Sequence, residues 1–262
     1  MGELNSATRA QCMKYASADY APAHPSPVTS APVSPIHLLP TAPLAERVLL
    51  PGDPGRALLL AQSLLTEPKM FNHNRGLWGY SGEARDGRLL TVQSTGMGGP
   101  SAAIVIAELA DLGARTLLRV GTCGALDASL RLGELLVADE ALGADGTSRA
   151  LGAGERVAAD PELTERLREA AGPDGQHGPV VSSDLFYDAP DGSAERWRDR
   201  GARALEMETA TLFALAGRRG LRAGCALIVS DLVLPARQRI ETEALHEAER
   251  RLGDLAVAAL SA

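Results

Sequence analysis

The chain has few aromatic residues, few cysteines and no long apolar run. Aromatic side chains make up 3% of its 262 residues, so the core must be built from alanine, valine and leucine. The cysteines Cys12, Cys123 and Cys225 are far apart and form no CxxC motif, which favours reduced thiols in a cytoplasmic protein. No stretch approaches the roughly 20 apolar residues that a membrane span needs, so no membrane partner is expected.

The chain also lacks an excess of basic residues. Its formal net charge is −7 at pH 7, whereas a protein that binds nucleic acid needs a basic face to neutralise phosphates. This balance argues against nucleic-acid binding and leaves room for a small anion where a few arginines converge. The length fits one large α/β domain.

Residues 1–33 differ in composition from the rest of the chain. Their runs of alanine, proline and serine, such as Ala21–Pro27, bury too little apolar surface to offset the entropy lost on ordering. The segment also lacks the continuous apolar centre of a secretory signal. We predict a disordered leader over residues 1–33 and a single domain over residues 34–262.

Strand-like and helix-like patterns alternate from about residue 37 onward. The predicted strands are Arg47–Leu50, Leu89–Ser94, Arg115–Val120, Glu134–Ala138, Val180–Ser182 and Arg222–Ser230. The predicted helices are Asp53–Leu65, Ser101–Leu112, Glu208–Arg218 and Glu241–Leu260. This order predicts a three-layer α/β/α domain with a central mixed, largely parallel sheet. Ligands of such sheets bind at the carboxyl ends of the strands.

Three glycine-bearing segments follow predicted strands, where backbone N–H groups can face an anion. In the first, the Gly52 N–H and the Arg56 guanidinium are candidates for a phosphate cradle, although a Gly-Asp-Pro-Gly string is usually a turn. In the second, Arg119 is costly to bury unless an anion or a structural ion pair compensates its charge. Thr122 adds a hydroxyl. The third, Thr95–Ser101, is either an approach loop for a sugar or anion or a plain turn.

Two acidic segments complete the candidate site. The carboxylates of Glu206 and Glu208 are suited to the 2′- and 3′-hydroxyls of a ribose, with Met207 under the sugar, although acids also favour a helix start. Asp231 follows Ser230 at the end of an apolar strand. A partly apolar place favours the protonated carboxyl, which predicts a general acid, with a helix N-cap as the alternative.

Together these segments resemble the nucleoside phosphorylase-I family, which contains purine nucleoside and uridine phosphorylases. The similarity extends from about His37 to the C-terminus. Its motifs appear in family order: LLPGDPGRA, STGMGGPSAA, LLRVGTCGAL, SSDLFYDAPDG, EMETATLFALA and VSD. The chain is most similar to the hexameric type of bacterial purine nucleoside phosphorylase.

The resemblance implies a role for each matching residue. Phosphate would be bound by Gly52, Arg56, Arg75, Arg119 and Thr122, ribose by His37, Met97, Met207 and Glu208, and the base by Phe186, Leu205, Glu206 and Ser230. His37 and Arg75 would reach the site of a neighbouring subunit, which implies a homo-oligomer, a hexamer built as a trimer of dimers. Asp231 would donate to purine N7. The family's assisting arginine lies further downstream than Arg237 and Arg239 do, and Arg237 is the candidate chosen for that role.

The residues after Phe186 favour a purine as the base. The uridine branch of the family carries a Gln and an Arg there, and Tyr187–Asp191 contains neither. The purine branch carries a late Ser-Asp pair, as Ser230-Asp231 does. The expected reaction is phosphorolysis of purine (deoxy)ribonucleosides to the free base and (deoxy)ribose 1-phosphate, with inorganic phosphate as co-substrate and no metal or organic cofactor. Alternatives are a uridine phosphorylase, a 5′-methylthioadenosine phosphorylase, a hydrolytic nucleosidase and a non-catalytic nucleoside-binding protein of the same fold.

Overall fold

A computed structural model describes residues 35–173, 175–187 and 189–261. The predicted leader, residues 1–33, lies outside these ranges. Within them, eleven strands form one sheet that is flanked by helices. The strands are β1 Arg47–Leu50, β2 Leu65–Asn72, β3 Gly79–Ala84, β4 Leu89–Gln93, β5 Thr116–Ala125, β6 Leu135–Ala144, β7 Arg156–Ala158, β8 Gln176–Ser183, β9 Ala204–Glu206, β10 Arg222–Leu232 and β11 Gln238–Arg239. The helices are α1 Pro54–Leu64, α2 Gly99–Asp111, α3 Gly146–Ala150, α4 Pro161–Ala171, α5 Ser193–Asp199, α6 Thr209–Arg219 and α7 Thr242–Ser261.

The sheet is mixed, with its parallel pairs at the centre. The strand order is β11-β10-β6-β8-β9-β5-β1-β4-β3-β2, and β10 also pairs with β5, so that five strands close a ring. Strands β4, β1, β5 and β10 run parallel to their neighbours in that order, as do β6, β8 and β9. The three-layer α/β fold with a mixed sheet is therefore confirmed. Antiparallel pairing is more extensive than the expected largely parallel sheet, because β2, β3, β7 and β11 are joined to it by hairpin-like pairs.

The central strands are buried on both faces. In β5, Leu117 packs in the layer that contains α2 and α6, whereas Leu118 packs in the layer of α1, α4 and α7. In β10, Leu227 and Ile228 divide in the same way. Successive side chains of a strand point to opposite faces, so a strand covered on both sides needs a continuous apolar run. Each such side chain contributes about 1.5–3 kcal/mol through burial.

Strands β5, β6 and β10 extend further than the apolar pattern predicts. Strand β5 was expected to end at Val120, but its ladder with β10 continues to Ala125, paired with Leu232. The residues beyond Val120 include glycines and a threonine, which carry no apolar signal although their backbone groups remain paired. As a result, Thr122 and Asp231 lie within strands rather than after them, as Arg119 does, and the sheet fixes their positions.

Two helix ends follow the predicted local chemistry. Helix α1 begins at Pro54, and the Asp53 carboxylate accepts hydrogen bonds from the N–H groups of Gly55 and Arg56 at 3.1 and 2.9 Å. Helix α6 ends at Gly220, which has a left-handed φ of 65°, a conformation that glycine adopts without strain. Among the described residues, no helix has the length and apolarity to span a bilayer.

Candidate active site

The carboxyl ends of four strands bring most of the predicted site residues together. Leu50 of β1 pairs with Arg119 of β5, and Gly124 of β5 faces both Asp231 and Leu205. The turn after β4 reaches the same end, since a Cβ on Gly52 would lie 3.2 Å from the carbonyl oxygen of Gly96. Segments separated by as many as 181 positions, from Leu50 to Asp231, therefore meet at one edge of the sheet, as expected for an α/β ligand site.

Arg119 is buried between two carboxylates. Its Nε lies 2.9 Å from Oε2 of Glu206, and its Nη2 lies 2.5 Å from Oε2 of Glu208. The side chain is 6% exposed. Burial by itself would lower the pKa of Arg119, but the charges of Glu208 and Glu206 outweigh it and raise that pKa above its usual value. The guanidinium is therefore held as a permanent cation, and its Nη1 makes neither of these contacts.

Gly121 creates the space in which this guanidinium lies. A Cβ on Gly121 would be 2.9 Å from both Cζ and Nη2 of Arg119, closer than real carbon contacts allow. The guanidinium of Arg119 therefore lies against the backbone of Gly121, two residues further along the same strand. Any side chain at residue 121 would displace Arg119 from its two carboxylates.

Glu206 differs from its predicted role as a base contact and hydroxyl acceptor. Its side chain is 0% exposed and accepts hydrogen bonds from four donors: Arg119 Nε, Ser182 Oγ and the N–H groups of Glu208 and Thr209. A carboxylate offers about four acceptor sites, so none is left for a ligand. Glu206 instead satisfies the first N–H groups of α6 and orients Arg119.

Glu208 retains acceptor capacity. Oε1 accepts the N–H of Gly98 at 2.5 Å, Oε2 contacts Arg119, and the N–H of Met207 also bonds to the carboxylate, so part of its capacity of about four acceptor sites remains. Burial raises the pKa of Glu208, and nearby Glu206 adds to this against the opposing charge of Arg119. Glu208 therefore connects the Gly96–Gly98 turn to the arginine. Met97 is 84% exposed and Met207 is half-buried, which leaves both accessible to a ligand.

Asp231 lies in an ion-pair cluster rather than in the partly apolar place expected. Its Oδ2 accepts a hydrogen bond from Ser230 Oγ at 2.8 Å, and its Oδ1 lies 3.3 Å from Nε of Arg237 and 3.5 Å from Nε of Arg239. The guanidinium of Arg237 also stacks 4.4 Å from the ring centre of Phe186. The N-cap alternative is wrong, since Asp231 is paired within β10, whereas the acid role of Asp231 stays a prediction. Arg237 thus connects the acid to the aromatic ring predicted to contact the base.

Arg56 is paired with an acid that sequence reasoning missed. Its Nε lies 2.7 Å from Oε1 of Glu249, and both side chains are buried. Glu249 belongs to α7 and stands among buried residues such as Ala248 and Leu252. A carboxylate on the apolar face of an amphipathic helix was the available signal. Thr122, in β5, is half-buried.

His37 and Arg75 lie apart from this cluster in the described part of the chain. Nδ1 of His37 is 2.7 Å from Oε1 of Glu108. Oε1 also accepts the N–H groups of residues 36 and 37, and Oε2 accepts that of residue 38. Burial would raise the pKa of Glu108, but these bonds from His37 and the backbone lower it. Arg75 is exposed and has a left-handed φ of 57°. The predicted action of both residues in a neighbouring subunit stays a prediction.

No metal centre is formed by the residues that the structure describes, since no three of their His, Cys, Asp or Glu side chains cluster suitably. The buried thiols of Cys123 and Cys225 lie close to the arginine cluster. Burial raises the pKa of both, that of Cys225 to about 12. Both are therefore neutral thiols at physiological pH, which suits packing rather than nucleophilic chemistry.

Comparison with known proteins identifies the family. Residues 46–261 match the family described as the Phosphorylase superfamily. A guanosine phosphorylase of Halorubrum lacusprofundi is 40% identical over 198 residues, 74% of this chain and 81% of that protein. DeoD-type purine nucleoside phosphorylases of Geobacillus kaustophilus and Alkaliphilus metalliredigens are 38% and 36% identical, covering 78% and 76% of this chain and 88% of each relative. The resemblance carried by the motifs is confirmed, and the chain belongs to the phosphorylase superfamily.

Proposed function

We propose that this chain is a purine nucleoside phosphorylase, which converts a purine (deoxy)ribonucleoside and phosphate into the free purine and (deoxy)ribose 1-phosphate. The observation that carries the proposal is the buried contact between Arg119 and Glu208 beside the Gly96–Gly98 turn. It places a fixed cation next to a carboxylate that still has free acceptor sites. The names of the similar proteins, guanosine phosphorylase and purine nucleoside phosphorylase, support the same reaction.

The phosphate is bound on the arginine side of this contact. Nη1 of Arg119, the hydroxyl of Thr122 and the backbone of Gly52 supply donors, and Arg56 adds a second guanidinium from the first turn of α1. Charge-assisted hydrogen bonds from guanidinium groups suit phosphate oxygens. Because Arg119 is already oriented by two carboxylates, its donors need little rearrangement when phosphate binds.

The sugar is bound by Glu208, whose remaining acceptor sites take hydrogen bonds from ribose hydroxyls. Met97 and Met207 pack against the sugar. Glu206 holds the cluster in place without touching the ligand. This division of roles follows from the number of donors that each carboxylate already accepts.

Charge complementarity accounts for the chemistry. Cleavage of the N-glycosidic bond builds positive charge on the sugar and negative charge on the departing base. Phosphate attacks C1′ from one face, while the pair of Asp231 and Arg237 meets the charge at purine N7 on the other, with Phe186, Leu205 and Ser230 around the base. Preorganised charges of this kind usually supply the largest share of rate enhancement.

The proposal also covers the oligomeric state of the enzyme, its co-substrate and its location in the cell. His37 and Arg75 complete the site of a neighbouring subunit in a homo-oligomer, a hexamer built as a trimer of dimers, through isologous interfaces. Phosphate is the co-substrate and no organic cofactor takes part. Residues 34–262 act as a single domain in the cytoplasm.

Product analysis tests the proposed reaction. Inosine, guanosine, adenosine, 5′-methylthioadenosine and uridine are each incubated with the protein, with and without inorganic phosphate. A phosphorylase yields sugar 1-phosphate and is inactive without phosphate, whereas a hydrolytic nucleosidase yields free sugar in both conditions. Equal rates with and without phosphate would exclude phosphorolysis, and absence of any free base would leave only nucleoside binding.

A further inference from the structure

A cavity of about 330 Å³ lies at the end of the sheet opposite the candidate active site. It is formed where the parallel strands β1, β5 and β10 begin, at Arg47, Thr116 and Arg222. Helix α7 contributes Ala259 and Leu260 near its end. The candidate active site occupies the carboxyl ends of the same strands, so a ligand in this cavity would be separate from the reacting nucleoside.

The cavity is strongly basic although the whole protein is acidic. Five arginines line it: Arg47, Arg88, Arg115, Arg166 and Arg222. Two of them are neutralised by close carboxylates. Both terminal nitrogens of Arg47 lie 2.6 Å from oxygens of Asp86, and Nη2 of Arg166 lies 2.5 Å from Glu162.

Arg88, Arg115 and Arg222 are not neutralised in this way. Arg222 donates to Thr116 Oγ1 at 3.0 Å, and its nearest carboxylate oxygen, on Glu162, is 3.9 Å away. Arg115 contacts only a backbone carbonyl at 3.4 Å among the bonds of the described residues, and for Arg88 they include no side-chain ion pair. Glu46 is the one acid among the residues that line the cavity. Three guanidinium groups against one carboxylate leave an excess of about two positive charges.

The remaining walls are apolar. Leu44, Leu89, Leu163 and Leu260 line the cavity between the arginines. Guanidinium groups bind phosphate oxygens through paired donors and also stack on planar groups. A volume of this size is at the lower end of the range for small-molecule sites, which combine apolar walls with a few polar groups.

We propose that this cavity is a second anion site, which binds a small phosphorylated ligand through Arg88, Arg115 and Arg222 and packs the ligand's apolar or planar part against the leucines. The charge excess sets the preference for a dianionic phosphate, and the leucine walls set the preference for a phosphate ester over free phosphate. Thr116 holds Arg222 in position from the first residue of β5.

Isothermal titration calorimetry on the full chain tests the proposal, with phenyl phosphate and inorganic phosphate as probes. The Arg119→Ala background is used so that phosphate binding at the candidate active site is weakened. Phenyl phosphate is expected to bind once per chain and more tightly than inorganic phosphate. Arg88→Ala, Arg115→Ala and Arg222→Ala should each weaken it by about tenfold or more, as loss of one charged hydrogen bond predicts.

Arg85→Ala is the matched control. Arg85 is 66% exposed and pairs with Asp254 at 2.9 Å, outside the residues that line the cavity, so its loss removes the same charge without touching the site. Phenyl phosphate binding should be unchanged in this variant. Arg88, Arg115 and Arg222 are all exposed residues, so their replacement leaves the core intact, and thermal unfolding verifies each protein. Absence of binding at millimolar phenyl phosphate would overturn the proposal. So would equal weakening by Arg85→Ala, or phenyl phosphate binding no tighter than inorganic phosphate.

Discussion

Glu206→Gln should reduce the stability of the protein, whereas Glu208→Gln should reduce its catalytic activity, although the two carboxylates contact the same arginine. Glu206 accepts four buried donors. A glutamine oxygen offers two acceptor sites, so Glu206→Gln leaves about two buried donors unpaired. At about 1–3 kcal/mol each, the unfolding free energy falls by about 2–6 kcal/mol. For a domain of this size that lowers the Tm by about 5–20 °C.

Glu208→Gln should instead spare stability and reduce catalysis. Because burial raises the pKa of Glu208, the fold already disfavours its charged form, and a neutral side chain of the same shape costs little stability. The lost interaction is a charged acceptor for a ribose hydroxyl. At about 1.5–3 kcal/mol, kcat/KM should fall by roughly 10- to 150-fold while the Tm stays within about 3 °C of the parent value.

Differential scanning calorimetry and steady-state kinetics on the two variants decide this. Each variant serves as the control for the other, since both remove one negative charge within contact of Arg119. A Glu206→Gln protein as stable as the parent would refute the argument from donor counts. A Glu208→Gln protein with unchanged kcat/KM would refute the assignment of Glu208 to the sugar.

Four further outcomes are expected. Arg119→Ala should lower turnover of inosine by about 30- to 1,000-fold, since a buried charged contact contributes roughly 2–4 kcal/mol to the transition state; near-normal rates across a phosphate titration would contradict this. Arg75→Ala chains mixed with Asp231→Asn chains, each inactive alone, should regain activity after subunit exchange, because each mixed pair contains one intact site; no recovery would argue against shared sites. Purine nucleosides should exceed uridine in kcat/KM by about 10²-fold or more, and Asp231→Asn should impair inosine far more than 7-methylguanosine, whose base leaves without protonation; equal losses would remove Asp231 from N7. The raised pKa of Glu208 means that the folded protein keeps this proton to a higher pH than the unfolded chain does. The contribution of this group to the unfolding free energy therefore falls as pH rises from about 4.5 to the folded pKa. When the unfolding free energy is measured in urea at several pH values, this decrease should be missing in Glu208→Gln.

Local pattern was sufficient to predict the central part of the fold. The apolar runs at Arg47–Leu50 and Arg222–Ser230 are strands because both of their faces are covered, and only a continuous apolar run survives such burial. Helix α1 begins after Asp53 and α6 ends at Gly220 because capping depends on residues within one turn. These features need no information from distant parts of the chain.

Local sequence pattern does not predict the outer strands of the sheet or the ends of the inner strands. Strand β2 has five successive exposed residues and contains Pro68, so nothing in its sequence separates it from a loop. Strand β9 spans three residues and exists because β5 and β8 flank it. The second half of β5 contains glycines and Thr122, whose strand conformation comes from the ladder with β10.

The sequence by itself determined which chemical groups the candidate site contains: arginines, glycines, two carboxylates close together in the chain and a further acid. Their residue types and the order of their motifs are properties of the chain. Tertiary structure alone decided what each group is free to do. Glu206 and Glu208 are two residues apart and chemically identical, yet one is saturated by four internal donors and the other is not. Asp231 meets two arginines that lie six and eight residues away, Arg56 meets Glu249 from the last helix, and five arginines meet at the opposite end of the sheet. Hydrogen-bond capacity and charge balance depend on partners brought from distant positions, so the roles of these residues are set only when the chain is folded.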